Sequence, residues 1–167
     1  AASRLKNLPA VRFLFVGSGA EQEILQQIIQ KNELKNVLLL PRRPHSEIAD
    51  YWNLCDLALI SLRDTPLFAG VIPSKMFEAA ALGIPLVMAC PEGEATQLMQ
   101  RYGCAVRVSP ADAGALEKQI RHLYTDKETC KKMATNGAKV AAHFDRRIQA
   151  KKMTNLFENM QNWKKAA

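Results

Sequence analysis

The sequence predicts an α/β fold of three layers, with helices on both faces of a mostly parallel sheet. Short apolar segments alternate with amphipathic segments from residue 11 to residue 108. The apolar segments are almost continuously hydrophobic, as expected of parallel strands that are buried on both faces. The length of 167 residues suits one domain, residues 1–167, with a core of ordinary size.

Five segments are predicted strands because they are short, apolar and bounded by turn residues. They are VRFLFVG (11–17), NVLLL (36–40), DLALISL (56–62), IPLVMAC (84–90) and CAVRV (104–108). The helices between them carry apolar residues at helical spacing, as the first one shows with Ile24, Leu25, Ile28 and Ile29. This alternation of strands and helices is Rossmann-like.

From residue 109 to the end the pattern is helical, with breaks expected near Asp126 and at 144–147. The last helix is predicted over residues 146–163, and its broad apolar stripe is formed by Ile148, Met153, Leu156, Phe157 and Met160. A stripe of this kind usually packs against another part of the protein. We therefore expect this helix to pack on its parent domain or on a neighbour.

The formal net charge of +7 is compatible with nucleic acid, anionic lipid or phosphorylated small molecules as partners. Much of the excess lies after residue 126, where aromatic residues do not alternate with the cations as a single-strand platform requires. We therefore expect no nucleic-acid partner. The cations fit a solvated helix face, with a peripheral contact to a membrane surface as the alternative.

The cysteines are Cys55, Cys90, Cys104 and Cys130, and they form no CxxC pair and no spacing that suits a metal. We predict reduced, partly buried thiols in a cytoplasmic chain. No apolar run approaches the roughly 18 residues that a membrane-spanning helix needs.

Parallel sheets of this class bind ligands beyond the carboxyl ends of their strands. The candidate loops are therefore residues 17–20, 41–45, 62–74 and 91–94. The first loop, GSGA, permits a tight turn and a close ligand, but Gln22 stands where a dinucleotide motif has its third glycine. A compact turn without a ligand explains Gly17 and Gly19 equally well.

The second loop, PRRPH, places Arg42 and Arg43 between prolines that stiffen the backbone. Arginine binds phosphate or stacks on a base, and an exposed turn with solvated cations is an equal alternative. The third loop, residues 62–74, is long for a strand-to-helix connection, as functional loops often are. Ser74 is a plausible N-cap of the next helix, and Pro73 is also tolerated at a helix start. The N-terminus of that helix together with Lys75 favours an anion.

Glu78 is the lone carboxylate of VIPSKMFEAAALGIPLV, residues 71–87. It stands four residues after Ser74, whereas a capping box would need its acid at Phe77. Solvent exposure is the ordinary interpretation of a helical glutamate. The small residues 79–81, however, predict close packing that leaves little solvated face. Near the ligand end, a carboxylate accepts hydrogen bonds from neighbouring hydroxyls, so a ribose contact is the competing interpretation.

At this point the sequence resembles a known family. The segment PSKMFEAAALGIPLV is similar to the signature of family-4 glycosyltransferases, which have the two-domain GT-B fold. VRFLFVGSGAEQEIL, NVLLLPRRPHSEIADYWNLCDLALISL and the final helices resemble the family in the same order, so nearly the whole chain is covered. The most similar group is the bacterial enzymes that build surface polysaccharides. The resemblance implies one half of a GT-B fold, the C-terminal domain that binds a nucleotide sugar.

The resemblance also implies roles for individual residues. Glu78 matches the second glutamate of the family's E-x7-E motif, which holds the ribose hydroxyls. The other matched positions are the sugar and phosphate loop (Val71, Ile72, Pro73), the helix start beside the diphosphate (Ser74, Lys75), the segment beside the base (Arg43, Pro44) and the glycine turn at the cleft (Gly17, Gly19).

Two departures from the family pattern matter. Gly70 occupies the position of the first glutamate of E-x7-E, which usually contacts the donor sugar, so sugar recognition is expected to differ. The family's first strand, which carries a phosphate-binding arginine and lysine, and the acceptor domain would both precede Ala1. The resemblance therefore implies a fragment that is inactive by itself, with its terminal helix directed toward the missing domain.

The implied activity is retaining transfer of a hexosyl or N-acetylhexosaminyl group from a nucleotide-diphosphate sugar, with UDP favoured, to a polysaccharide or lipid-linked acceptor. The resemblance implies no metal or other cofactor, and a cytoplasmic location that leaves a peripheral contact with the inner membrane open. One alternative is a sugar-nucleotide epimerase of GT-B shape, which PSKMFE disfavours. The other is a non-enzymatic flavodoxin-like binding module, which would need clustered acids after the first strand.

Overall fold

The computed structural model describes the backbone of residues 1–166 and the side chains of residues 1–160. The strands are β1 (Phe13–Val16), β2 (Val37–Leu40), β3 (Ala58–Ser61), β4 (Leu86–Ala89) and β5 (Ala105–Val108). The helices are α1 (Gln22–Lys31), α2 (Ile48–Asn53), α3 (Pro66–Ala69), α4 (Ser74–Ala81), α5 (Glu94–Arg101), α6 (Ala113–Thr125), α7 (Lys127–His143) and α8 (Arg146–Ala166). Short 3-10 turns lie at Ala2–Leu5 and His45–Glu47.

The predicted order of strands and helices is confirmed. Each predicted strand is present and shorter than its apolar run, because flanking residues of the run belong to turns. The expected breaks near Asp126 and at 144–147 separate α6 from α7 and α7 from α8. The third loop, predicted as a long connection over residues 62–74, contains the short helix α3, which begins at Pro66.

All strand pairs in the described residues are parallel, and they form two ladders. In the first ladder, β1 pairs with β2 over their full length, with Phe13 opposite Val37. In the second ladder, β4 lies between β3 and β5, and Leu86 is opposite both Ala58 and Ala105. The parallel Rossmann-like fold is therefore confirmed, with a division between β1 and β3.

The core lies around β4, whose four residues are all buried. Leu86 and Met88 project into a cluster with residues of α4 and α5. Val87 and Ala89 project to the opposite face, where they join a second cluster with residues of α6 and α7. Because successive side chains of a strand point to opposite faces, β4 is covered on both sides, which is the expected three-layer arrangement.

The α4 helix is seated on the core by its small and apolar residues. Met76, Ala79 and Ala80 are fully buried. At Gly137 of α7, an added Cβ would lie 2.8 Å from the carbonyl oxygen of Ala80, so the two helices approach more closely than a larger side chain allows. The prediction that this helix has little solvated face is wrong, because Glu78 is exposed, as are residues 81 and 82.

The N-terminal ladder and α8 are less well covered than the core. The β1–β2 ladder has no buried residue, and Phe15 and Leu38 are 41% and 54% exposed. The predicted apolar face of α1 is present, but Ile24, Leu25 and Ile28 are also exposed. On α8 the stripe predicted from the sequence is exposed along its length, at Ile148, Met153, Leu156, Phe157 and Met160.

Candidate functional site

The loops after β1 and β3 meet at the carboxyl edge of the strands. Glu21 lies at the start of α1, and Arg63 lies two residues after β3. The Arg63 Nη2 and the Glu21 Oε1 atoms are 2.6 Å apart, and both side chains are largely exposed. This ion pair shows that the first and third candidate loops converge, as the rule for parallel sheets requires.

The third and fourth candidate loops are packed directly on each other. A Cβ atom added to Gly93 would lie 1.9 Å from the backbone oxygen of Ala69, which ends α3. Gly93 immediately precedes α5, and its N–H donates to the hydroxyl of Thr96 over 3.0 Å. Only glycine permits this approach of two backbones. The close approach fixes the position of the loop that leads into α4.

The start of α4 differs from the prediction in one respect. Pro73 occupies the N-cap position, and Ser74 is the first helical residue, so the prediction that Ser74 caps the helix is wrong. The backbone of Pro73 is extended, with φ −70° and ψ 127°, as that of an N-cap residue typically is. The hydroxyl of Ser74 does not cap the helix and donates a hydrogen bond to Glu78 Oε1 over 3.4 Å.

The residues predicted to contact a diphosphate and a ribose therefore share one exposed face at the start of α4. Ser74, Lys75 and Glu78 are all exposed. The helix presents free backbone N–H groups and the positive end of its dipole there. This face can bind an anion at the helix start, while the Glu78 carboxylate accepts hydrogen bonds from hydroxyl groups one turn later.

The preceding loop delivers three further predicted residues to the same edge. Val71 and Pro73 are half-buried, and Ile72 is 42% exposed. Gly70 lies at the end of α3, where an added Cβ would have only the Leu67 oxygen, at 3.9 Å, within 4 Å. The position of the first family glutamate thus has room for a side chain, and this chain leaves that space open.

The glycine turn after β1 borders open space. Gly17 has a φ of +149°, which side chains rarely adopt, and added Cβ atoms at Gly17 and Gly19 would meet nothing within 4 Å. Arg43 and Pro44 are exposed in the loop after β2. Both groups therefore lie at the predicted edge of the sheet, and neither forms a polar contact with α4 among the described side chains.

Two residues of this edge were missed by sequence reasoning. Arg63 and Glu21 were not identified as site residues, although the position of Arg63 directly after a predicted strand was a usable signal. Arg63 is a guanidinium at the carboxyl edge, suited to bidentate recognition of phosphate. Glu21 could not be identified as a site residue from the sequence, because it is placed there by its ion pair with Arg63, 42 residues away.

The cysteine thiols do not provide a nucleophile at this edge. The four cysteines are free, as predicted, and Cys90 and Cys104 are buried. Burial raises the pKa of the Cys90 thiol, an effect that the nearby Arg107 only partly opposes. Burial likewise raises the pKa of Cys104, so both thiols are protonated at neutral pH and are poor nucleophiles. Among the described side chains, no three His, Cys, Asp or Glu residues converge as metal ligands would.

The sequence profile of one protein family matches this chain. The family is described as glycosyl transferases group 1, and the match extends over residues 1–140, most of the chain. The chain belongs to the group 1 glycosyl transferases. Residues 141–167, which include α8, lie outside the match. No curated protein matches the sequence.

Solved structures of glycosyltransferases share the fold. A glycosyltransferase from Rickettsia africae ESF-5 superposes with a TM-score of 0.80 at 16% identity, over 95% of this chain and 42% of its own. The Anabaena protein Alr3699/HepE, described in complex with UDP, gives 0.77 at 23% identity, over 90% of this chain and 42% of its own. Sucrose-phosphate synthase from Thermosynechococcus elongatus gives 0.73 at 20% identity, over 96% and 42%.

At these identities the superpositions establish the fold, which corresponds to one half of a GT-B glycosyltransferase. This chain spans less than half the length of the three structures. Among the described residues, no helix combines the length and the apolar character needed to cross a bilayer.

Proposed function

We propose that this group 1 glycosyl transferase domain binds the donor, a nucleotide-diphosphate sugar, at the carboxyl edge of β1 and β3. The observation that carries the proposal is the shared exposed face of Ser74, Lys75 and Glu78 at the start of α4. The diphosphate lies at the helix start, and the ribose hydroxyls donate to Glu78. The base lies toward Arg43 and Pro44, and the sugar lies against the loop of Val71, Ile72 and Pro73.

UDP is the proposed nucleotide. The Anabaena structures are described as complexes with UDP and with UDP-glucose, which supports a uridine donor for this fold. The family match also favours glycosyl transfer over the epimerase and over the flavodoxin-like module. The acceptor is a polysaccharide or a lipid-linked glycan of the cell surface, as the resemblance to surface-polysaccharide enzymes implies.

The proposed chemistry is retaining transfer without a metal or other cofactor. As the bond between the sugar and the diphosphate breaks, negative charge develops on the leaving phosphate. The helix start of α4, Lys75 and Arg63 stabilise that charge, and such preorganised stabilisation usually dominates catalysis. The acceptor hydroxyl approaches the same face of the sugar from a second domain, whose closure excludes water.

Titration of UDP, GDP and ADP against the chain tests the proposal. We expect UDP to bind, and the Glu78→Ala variant to bind it more weakly by about 1.5–3 kcal/mol, because a charge-assisted hydrogen bond is lost. Glu128→Ala is the matched control, since Glu128 is another exposed helical glutamate, in the first turn of α7. Absence of binding by all three nucleotides, in this chain and in a longer form that restores the preceding polypeptide, would refute the donor site.

A further inference from the structure

An exposed ion pair crosses the carboxyl edge of the sheet. Glu21 follows the glycine turn after β1, and Arg63 lies near the start of the loop that leads from β3 to α4. The Glu21 Oε1 and Arg63 Nη2 atoms are 2.6 Å apart. The pair therefore connects the two loops that border the proposed donor site.

The backbone at both ends of this pair is fixed, whereas the side chains are free to move. The carbonyl oxygen of Glu21 accepts the N–H of Leu25 over 3.0 Å in the first turn of α1. Leu62, immediately before Arg63, donates its N–H to the carbonyl oxygen of Ala89 over 3.1 Å. The side chains of Arg63 and Glu21 are 74% and 64% exposed. They can therefore separate and turn toward a ligand while the strands stay in place.

The two side chains also lack competing partners. Glu21 occupies the N-cap position of α1, yet its carboxylate makes no capping hydrogen bond. In the part of the chain that the structure describes, the contact with Glu21 is the single hydrogen bond of the Arg63 guanidinium, which carries five N–H donors. A guanidinium in this state can exchange a carboxylate for a phosphate without disturbing any other contact.

We propose that Glu21 competes with the phosphates of the donor for Arg63, and that this competition promotes release of the nucleoside diphosphate product. The inference rests on the proposed donor site, because it needs a phosphate within reach of Arg63. In the empty site the Glu21 carboxylate occupies the guanidinium. A diphosphate carries more negative charge and offers paired oxygens to the planar guanidinium, so it displaces Glu21. When the product leaves, Glu21 returns to Arg63.

The weakness of an exposed ion pair makes this exchange reversible. Water screens both charges, and the two side chains lose freedom when they pair, so breaking the pair costs the ligand little. A displaced Glu21 carboxylate that stays near the phosphates also repels them, since like charges at short distance interact unfavourably. Both effects weaken the retention of the product, and product release limits the turnover of many enzymes. Glu21 is thus a positioning residue that acts through Arg63.

Affinity and dissociation rate of UDP test the proposal, measured on this chain or on the longer form if the chain alone does not bind. We expect Glu21→Gln to bind UDP about 1.5- to 5-fold more tightly, because the competing charge is removed. UDP should leave the variant more slowly by about the same factor. Uridine, which has no phosphate, should bind both proteins equally. Glu23→Gln is the matched control, since it removes the same charge from another exposed glutamate of α1.

The Arg63→Gln background separates competition for the guanidinium from a general effect of charge. In that background Glu21→Gln should change the UDP affinity no more than Glu23→Gln does, because no guanidinium remains to compete for. A gain for Glu23→Gln as large as that for Glu21→Gln in the wild-type background would assign the effect to net charge and overturn the proposal.

The remaining outcomes distinguish this inference from the donor site itself. Equal UDP affinity of the wild-type protein and Glu21→Gln would overturn the competition and leave the donor site intact. Weaker binding by Glu21→Gln would show that Glu21 orients Arg63 for the ligand, and would also overturn the competition. Absence of UDP binding by every protein, in both forms, would refute the donor site and this inference together.

Discussion

Ser74 and Glu78, one turn apart at the start of α4, are joined by a side-chain hydrogen bond. Ser74 is the first residue of α4 and does not cap it, so its hydroxyl is available and contacts the Glu78 carboxylate. Glu78 in turn is exposed and held only by this one hydrogen bond. A carboxylate that is both exposed and lightly held can exchange its partner for a ligand hydroxyl without leaving a buried charge unpaired.

Gly93 is a residue whose substitution is expected to damage the fold. An added methyl group would overlap the backbone oxygen of Ala69, and backbone atoms cannot yield as a flexible side chain does. We expect Gly93→Ala to lower the free energy of unfolding by about 1–3 kcal/mol, as overpacking commonly does. Gly19→Ala is the control, because its Cβ would meet nothing within 4 Å. Urea denaturation of both variants measures the difference, and equal stability would show that the α3–α5 contact is looser than described.

Asp126 is a residue with a predictable pH dependence. It caps α7 by accepting hydrogen bonds from the backbone N–H and the hydroxyl of Thr129, at 2.9 and 2.7 Å, and these bonds lower the pKa of its carboxyl. A lowered folded-state pKa means that the stabilisation is fully present above the unfolded value of about 3.9 and is lost as the pH falls through the folded value.

We therefore expect Asp126→Ala to reduce the melting temperature at pH 7, with the deficit shrinking as the pH falls below about 4. Asp126→Asn is the informative companion variant, because an amide oxygen still caps the helix but does not titrate in this range. Melting temperatures of both variants, recorded from pH 7 to pH 2, measure this dependence on pH. A deficit for the alanine variant that stays constant over this range would contradict the capping account.

At the scale of elements, the sequence was most informative where burial decides the structure. The strand around Val87 was predictable because a fully apolar run of this length has few alternatives, and β4 is buried on both faces. The start of α4 was predictable only to within one residue, since proline and serine are both acceptable at its first positions. The contact of Gly93 with Ala69 and the ion pair of Glu21 with Arg63 join residues that are far apart in the sequence. Local sequence patterns do not predict such contacts.

The α8 helix gives a prediction at this scale. Its apolar stripe is more than half exposed at Leu156 and Phe157, so these side chains contribute little to the stability of the domain itself. We expect Leu156→Ser together with Phe157→Ser to change the free energy of unfolding by less than about 0.5 kcal/mol. Leu123→Ala, at a residue that is 1% exposed, should cost about 2–5 kcal/mol. A loss in the α8 variant as large as that at Leu123 would show that α8 packs on this domain.

At the scale of the whole molecule, the β3–β4–β5 ladder is well covered by helices, whereas the β1–β2 ladder is partly exposed. The β3–β4–β5 ladder has helices on both faces, with one buried apolar cluster on each side of β4. The β1–β2 ladder and the apolar stripe of α8 are partly exposed. The proposed donor site lies at the carboxyl edge of β1 and β3, where the Arg63–Glu21 ion pair joins the two halves.

The central claim is that Glu78 binds the ribose of a nucleotide donor, and a cycle of two nucleotides and two proteins tests it most directly. UDP and 2′,3′-dideoxy-UDP are titrated against the chain and against Glu78→Ala, each in the longer form if the chain alone does not bind. We predict that loss of the ribose hydroxyls weakens binding to the wild-type protein by about 1.5–3 kcal/mol and has almost no effect on the variant. Equal losses for both proteins would show that Glu78 does not contact the ribose and would contradict the account.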